Sequence, residues 1–100
     1  MAQEAHAPVH LAASALVVCL GWWLQLPASD WALLALAMGA VWALEAMNAA
    51  LERVVDLASP QWHALARDAK DLAAGAVLLA SLAALGVGVS VFAPRLWGLT

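Results

Sequence analysis

The chain is poor in cysteine, in tyrosine and phenylalanine, and in charge. Its 100 residues include one cysteine, no tyrosine and one phenylalanine, and only 11% are charged. A single cysteine excludes a disulfide within the chain. Because Cys19 lies in an apolar run, a cysteine-based metal site is not indicated either. The four basic residues are scattered and form no basic run, which argues against a nucleic-acid-binding protein.

Two sequence signals are also missing. Residues 1–10 contain no lysine or arginine, so this stretch lacks the basic region that opens a signal peptide. No Gly-x-x-x-x-Gly-Lys-Ser/Thr occurs, which excludes a P-loop for nucleotide binding.

What the chain has in abundance is apolar residues. They make up 66% of the sequence, and the mean hydropathy is +0.88. A soluble core of this size could not bury so much apolar surface, so we expect the surrounding solvent to be lipid. The length allows a single domain, residues 1–100.

Three apolar segments predict the architecture. They cover about residues 9–26, 31–57 and 64–93, each close to the roughly 20 residues that span a bilayer. We therefore predict an all-α fold, an integral membrane bundle of three transmembrane helices. A short turn follows Pro27, and Ser29 or Asp30 is the expected N-cap of the second helix.

The second segment changes character halfway. It is uncharged from Trp31 to Leu44 and then carries polar residues, so we expect it to leave the hydrocarbon and continue as an amphipathic interfacial helix. Residues 58–63 form the break, with Pro60 as the stop and Trp62 as an interface anchor. Small residues in the third segment predict close helix contacts; they are Gly75, Ser81, Gly86, Gly88 and Ser90.

The basic residues predict the orientation. Arg53, Arg67 and Lys70 flank the loop between the second and third segments, whereas Arg95 lies at the opposite side. The positive-inside rule therefore places that loop in the cytoplasm.

One helical face collects polar side chains. Glu45, Asn48, Glu52 and Asp56 fall within an arc of roughly 80° if each residue advances by about 100°. Ionisable groups at the edge of an apolar segment usually face a protein interior or a wet cavity and mark a function. The alternative is a helix face with no functional role, in which an interfacial helix is solvated and its carboxylates face water.

These residues suit phosphate chemistry. Carboxylates, including Glu4, offer oxygens to Mg²⁺, and Lys70 offers a cation to a phosphate. Mg²⁺, a lysine and a carboxylate base recur in phosphoryl transfer. Arg67, Asp68, Lys70 and Asp71 could equally be ordinary charges at a helix start, with Arg67 paired to Asp71.

The residues from 45 to 77 resemble the signature of the prokaryotic diacylglycerol kinase family, which includes undecaprenol kinases. The pattern is Glu45-x-x-Asn48-x-Ala-x-Glu52-x-x-x-Asp56, then His63, then Ala69-Lys70-Asp71-x-Ala-x-Gly-Ala-Val. The resemblance spans about residues 4–96. It implies a lipid kinase, a transferase of lipid and phospholipid metabolism in the bacterial inner membrane. It also implies ATP binding, Mg²⁺ as cofactor, a homotrimer with shared active sites, and an active site on the cytoplasmic side.

The resemblance also implies residue roles. Glu45 matches the catalytic base, which takes the proton of the lipid hydroxyl. Glu52 and Glu4 match the metal-binding carboxylates, and Asn48 would organise the metal, the base or the substrate. The implied nucleotide-binding residues are Lys70 on the phosphates, with Asp71, Glu52, Asp56 and His63.

Some features depart from the family or leave alternatives open. The family has an amphipathic surface helix before the first membrane segment, and we expect this sequence to lack it, because only residues 2–10 precede that segment. His6 and His10 are four residues apart, but a third metal ligand is missing and Pro8 makes a regular helix doubtful. The expected reaction is conversion of diacylglycerol to phosphatidic acid, or of undecaprenol to undecaprenyl phosphate. The alternative is a non-catalytic truncated membrane paralogue that assembles or binds divalent ions.

Overall fold

The described part of the chain folds into three α-helices. The computed structural model describes the backbone of residues 2–98 and the side chains of residues 8–98. Helix α1 covers Ala2–Leu24, α2 covers Ala28–Ala58 and α3 covers Ala64–Gly98. The predicted all-α fold is confirmed. The bundle measures 56 × 21 × 19 Å, so its two ends are far apart.

Helix α1 is longer than predicted at its amino-terminal side. It begins at Ala2, before the predicted start at Val9, and continues through Pro8. The expectation that Pro8 interrupts the helix is therefore wrong. A proline removes one backbone hydrogen bond, but in apolar helices local adjustments and neighbouring groups compensate for it.

A tight backbone motif ends helix α1. Gln25 adopts a positive φ of 54°. The Gln25 N–H donates to the carbonyl of Trp22, and the Leu26 N–H donates to the carbonyl of Gly21, both at 3.2 Å. This is the pattern of a Schellman motif, in which a left-handed residue satisfies the last carbonyls of a helix. The chain therefore reverses within residues 25–27.

The second helix starts earlier than predicted and without the predicted cap. The N-cap is Pro27, with φ −68° and ψ 162°, and no side chain caps the helix. Ser29 and Asp30 already lie inside α2, so the N-cap prediction is wrong. The reason lies in α3: the Asp30 carboxylate accepts hydrogen bonds from Arg95 at 2.5 Å and 3.2 Å.

Most of the buried core lies at this same end. Leu26, Leu34, Val91 and Phe92 form one buried cluster, and it draws α1, α2 and α3 together beside the short turn. The backbone of α1 lies close to α2 at Gly21, where an added Cβ would be 2.7 Å from the Trp31 ring.

Within the described part of the chain, three glycines of α3 do not form the predicted close contacts. An added Cβ at Gly75, Gly86 or Gly88 would meet none of the described atoms within 4 Å. Ser90 instead donates its hydroxyl to the Gly86 carbonyl one turn earlier, at 2.8 Å. Spacing of small residues marks a smooth helix face, but it does not say what covers that face.

The far end of the α2–α3 hairpin agrees with the predicted break. Helix α2 ends at Ala58, where the Ser59 N–H donates to the Val55 carbonyl at 2.8 Å, and α3 begins at Ala64. At its other end α3 passes through Pro94 and stops at Gly98, beyond the predicted end at residue 93.

Among the described residues, two helices are long and apolar enough to cross a membrane, Ala28–Ala58 and Ala64–Gly98. The apolar part of α1 is shorter and covers Pro8–Leu24. Many large apolar side chains on all three helices are exposed, as is expected where lipid is the solvent.

Candidate functional site

The predicted polar face lies along a single unbroken helix. Glu45, Asn48, Glu52 and Asp56 all belong to α2, and the first and last are about 16 Å apart along the helix axis. Asn48 is 6% exposed, and its Oδ1 has no hydrogen-bond partner among the described residues. Glu45 and Glu52 are half-buried and Asp56 is exposed. The face therefore runs from a buried amide to open solvent.

A polar cleft of about 300 Å³ lies where the break joins α2 to α3. It brings together four of the residues predicted to bind nucleotide, namely Asp56, His63, Lys70 and Asp71. The fifth, Glu52, lies one turn before Asp56 and does not line the cleft. The antiparallel hairpin explains the grouping, because it places the end of α2 beside the start of α3.

Lys70 forms an ion pair inside this cleft. Its Nζ donates to Asp56 Oδ1 at 2.5 Å. Lys70 precedes the uncharged stretch of α3, and its ammonium group faces the Asp56 carboxylate near the end of α2. The cleft therefore contains an ion pair that joins the two helices. The sequence reasoning missed this pair, since the two residues are on different helices.

His63 has a structural role that the sequence reasoning also missed. The Leu65 N–H donates to His63 Nδ1 at 3.0 Å, so the imidazole caps the start of α3. An accepting Nδ1 leaves Nε2 as the protonated nitrogen of a neutral ring. Any contact of His63 with a ligand would therefore use Nε2.

Arg67 lies at the rim of the cleft. Its guanidinium contacts Asp68 at 3.5 Å and lies 6.0 Å from the centre of the Trp62 ring. The pairing of Arg67 with Asp71 is therefore wrong, although the interpretation of Arg67 and Asp68 as surface charges fits their exposure. A pair this exposed contributes little to stability.

Helix α1 reaches the polar face through His10. His10 Nε2 lies 3.4 Å from Glu45 Oε1. The imidazole packs edge-on against Trp42, with ring centres 5.9 Å apart, and the indole N–H of Trp42 donates to Ser14 at 3.1 Å. His10 was predicted only as half of a weak metal pair, and the structure places it against the predicted base instead.

An apolar cavity of about 540 Å³ lies between the three helices. At one end it is lined by His10, Ser14 and Trp42, next to Glu45, and at the other by Phe92 and Leu96. The α3 residues that line it begin at Ser81, so the cavity follows α3 for about 22 Å. Such a cavity suits a hydrocarbon chain with a polar head at the Glu45 end.

The predicted metal site is only partly described. Among the side chains of residues 8–98, no three His, Cys, Asp or Glu groups come together as a metal cluster. Glu52 belongs to this described part. The side chains of Glu4 and His6 lie outside the described residues.

Fold and site together define a helical membrane protein with a charged cleft at one end and an apolar cavity leading towards it. The family model of prokaryotic diacylglycerol kinase matches residues 1–92. The chain therefore belongs to the prokaryotic diacylglycerol kinase family, and its enzyme class is lipid kinase.

Two curated relatives match most of the chain. It is 37% identical over 87 residues to an undecaprenol kinase from Bacillus subtilis, a match that covers 87% of this chain and 71% of the relative. It is 46% identical over 92 residues to a diacylglycerol kinase from Synechocystis, a match that covers 91% of this chain and 53% of the relative. The chain thus spans about half the length of the second relative. No solved structure matches the chain significantly.

Proposed function

We propose that this chain transfers the γ-phosphoryl group of ATP to the hydroxyl of a membrane lipid. The observation that carries the proposal is the arrangement at one end of the bundle. The cleft lies there and is lined by Lys70, Asp56, His63 and Asp71. The apolar cavity ends beside Glu45, about 16 Å from Asp56 along the axis of α2. A phosphate donor and a lipid acceptor thus have separate, neighbouring sites.

The proposed step is an in-line displacement. The lipid hydroxyl oxygen forms a bond to the γ-phosphorus while the bond from that phosphorus to the β–γ bridging oxygen breaks, and ADP leaves. Glu45 takes the proton of the hydroxyl. Lys70 holds the phosphates with its positive charge, and Asp71, Asp56, Glu52 and His63 complete the nucleotide site.

The oxygens on α2 fit a magnesium ion. Asn48 Oδ1 is buried and has no hydrogen-bond partner in the part of the chain that the structure describes, and an unsatisfied buried oxygen costs about 1–3 kcal/mol. Glu52 is one turn further along the same helix. Glu4 precedes Ser14 by ten residues and Glu52 follows Trp42 by ten, so the antiparallel register of the Ser14–Trp42 hydrogen bond puts the backbones of residues 4 and 52 at a similar height in the bundle.

In this proposal Glu52 and Glu4 hold Mg²⁺, and Asn48 organises the metal or the base. The ion, when bound, neutralises charge on the phosphate oxygens. The carboxylates and the amide supply the hard oxygen ligands that Mg²⁺ prefers.

The lipid acceptor enters laterally from the bilayer, and its hydrocarbon chain occupies the apolar cavity. Diacylglycerol and undecaprenol both present a hydroxyl on a long hydrocarbon, and the two curated relatives are named for one each.

We place the site at the cytoplasmic face of the bacterial inner membrane, because Arg53, Arg67 and Lys70 flank the α2–α3 break. We further propose a homotrimer with active sites shared between subunits.

The test is phosphate transfer from radiolabelled MgATP by the purified chain in mixed micelles, with diacylglycerol and undecaprenol offered separately. Labelled product with either lipid supports the kinase and names its acceptor. The Glu45→Gln variant, prepared identically, measures the background from contaminating kinases.

No product with either lipid from a folded preparation would contradict activity of this chain. Binding of Mn²⁺ as a paramagnetic probe, with no turnover, would then support the non-catalytic membrane paralogue.

A further inference from the structure

His10 is a half-buried imidazole that the proposed reaction leaves without a role. It lies on α1, whereas the proposed base, nucleotide site and metal ligand Glu52 lie on α2 and α3. Its Nε2 is 3.4 Å from Glu45 Oε1, and the two side chains are 24% and 17% exposed. This distance is slightly long for a hydrogen bond, and catalytic contacts often tighten only when substrate binds.

The neighbouring residues hold the imidazole in place. Trp42 lies three residues before Glu45 on α2 and Ser14 lies four residues after His10 on α1, so each pair occupies adjacent turns of its helix. The Trp42 indole N–H is tied to Ser14 at 3.1 Å, and its ring packs against the His10 ring. Two consecutive turns of α1 therefore contact two consecutive turns of α2.

We propose that His10 is a positioning residue for Glu45. Its Nε2–H holds Glu45 Oε1 and so orients the carboxylate, which leaves Oε2 directed to the lipid hydroxyl. His10 also lines the end of the apolar cavity, so one residue links the position of the lipid chain to the orientation of the base. This inference rests on the proposed function.

Three substitutions at His10 separate this role from simple packing. His10→Ala removes the donor, and we expect kcat to fall about 10- to 100-fold with the KM for ATP unchanged, because a misplaced base slows the chemical step. The amide nitrogen of glutamine reaches the position of Nε2, whereas that of asparagine reaches only the position of Nδ1. His10→Gln should therefore restore most of kcat and His10→Asn should not.

A matched control is His6→Ala, which removes an imidazole four residues earlier in the sequence. We expect kcat to stay within about twofold of wild type, because the proposal assigns no contact to His6. Equal losses in His10→Gln and His10→Asn, or a change in the KM for ATP alone, would overturn the positioning role.

A thermal double-mutant cycle tests the contact without measuring activity. The Tm values of His10→Ala, Glu45→Ala and the double variant are compared in the same micelles. Residues in direct contact give non-additive shifts, so additive shifts would overturn the contact. If the wild-type chain transfers no phosphate, the proposed function fails and the positioning role with it, while non-additive shifts would still identify a structural pair.

Discussion

The two ends of this bundle are built differently. At the α1–α2 turn, the chain reverses within three residues, buries Leu26, Leu34, Val91 and Phe92 and joins Asp30 to Arg95. At the α2–α3 break, the side chains around the cleft are mostly exposed, and Lys70 with Asp56 is the ion pair that spans the two helices there.

The difference assigns stability to one end and chemistry to the other. Apolar side chains and a half-buried ion pair resist opening, whereas an open polar cleft with exposed carboxylates gains little from folding. Asn48 Oδ1, which has no hydrogen-bond partner among the described residues, lies between the proposed base Glu45 and the cleft. Such local inconsistencies are expected at functional sites. Substitutions at the two ends should therefore affect different measurements.

The largest effect is expected from Glu45→Gln. The amide cannot accept the hydroxyl proton, so we expect turnover to fall by about 10²- to 10⁴-fold or more. The substitution keeps the shape of the side chain, so size-exclusion elution in detergent and helical content by circular dichroism should match wild type. Retained turnover would exclude Glu45 as the base.

A smaller, selective effect is expected from Lys70→Ala. It removes the cation that Asp56 holds in the cleft, so the KM for ATP should rise about tenfold or more, as for loss of a charged hydrogen bond to phosphate. The matched control is Arg67→Ala, which removes a cation from the rim of the same cleft. The same ATP dependence in Lys70→Ala as in wild type would exclude a phosphate contact, and an equal rise in both variants would point to non-specific electrostatics.

The smallest effect on activity is expected at the other end, from Asp30→Asn. It leaves Arg95 without its half-buried partner, and loss of a charged hydrogen bond costs about 1–3 kcal/mol of unfolding free energy. The Tm in micelles should fall while kcat and KM stay unchanged. Asp68→Asn at the exposed Arg67 pair is the control and should leave Tm unchanged. A loss of activity in Asp30→Asn without a change in Tm would contradict the assignment of stability to this end and of chemistry to the other.

The number and order of helices were predictable, as were the break at residues 58–63 and the start of α3. Long apolar runs and a proline with neighbouring polar residues are local signals. The errors fell at helix ends. Pro8 and Pro94 both lie inside helices, because a proline does not always end an apolar helix. The end of α1 has Gln25 in the left-handed conformation, where a glycine would have been the usual sequence signal of a helix end.

The topology predicted that Asp56, Lys70 and Asp71 lie at the same end of the hairpin, and the resemblance to a family assigned them, with His63, to one nucleotide site. Residue spacing predicted Asp56 on the second helix and Lys70 on the third, but it did not predict the hydrogen bond of 2.5 Å between their side chains. The cap formed by His63 and the approach of Trp31 to Gly21 had no sequence signal that we recognised.

The amino-acid sequence alone predicts three apolar helices, one polar face on α2 and the end of the α2–α3 hairpin at which the charges lie. These features follow from hydrophobicity and helical period, which depend on residues close together in the chain. The folded structure was needed to show that His10 meets Glu45, that Lys70 pairs with Asp56 and that a cavity leads to Glu45. Such contacts depend on how helices rotate and slide against one another, and that register is set by packing across the whole bundle.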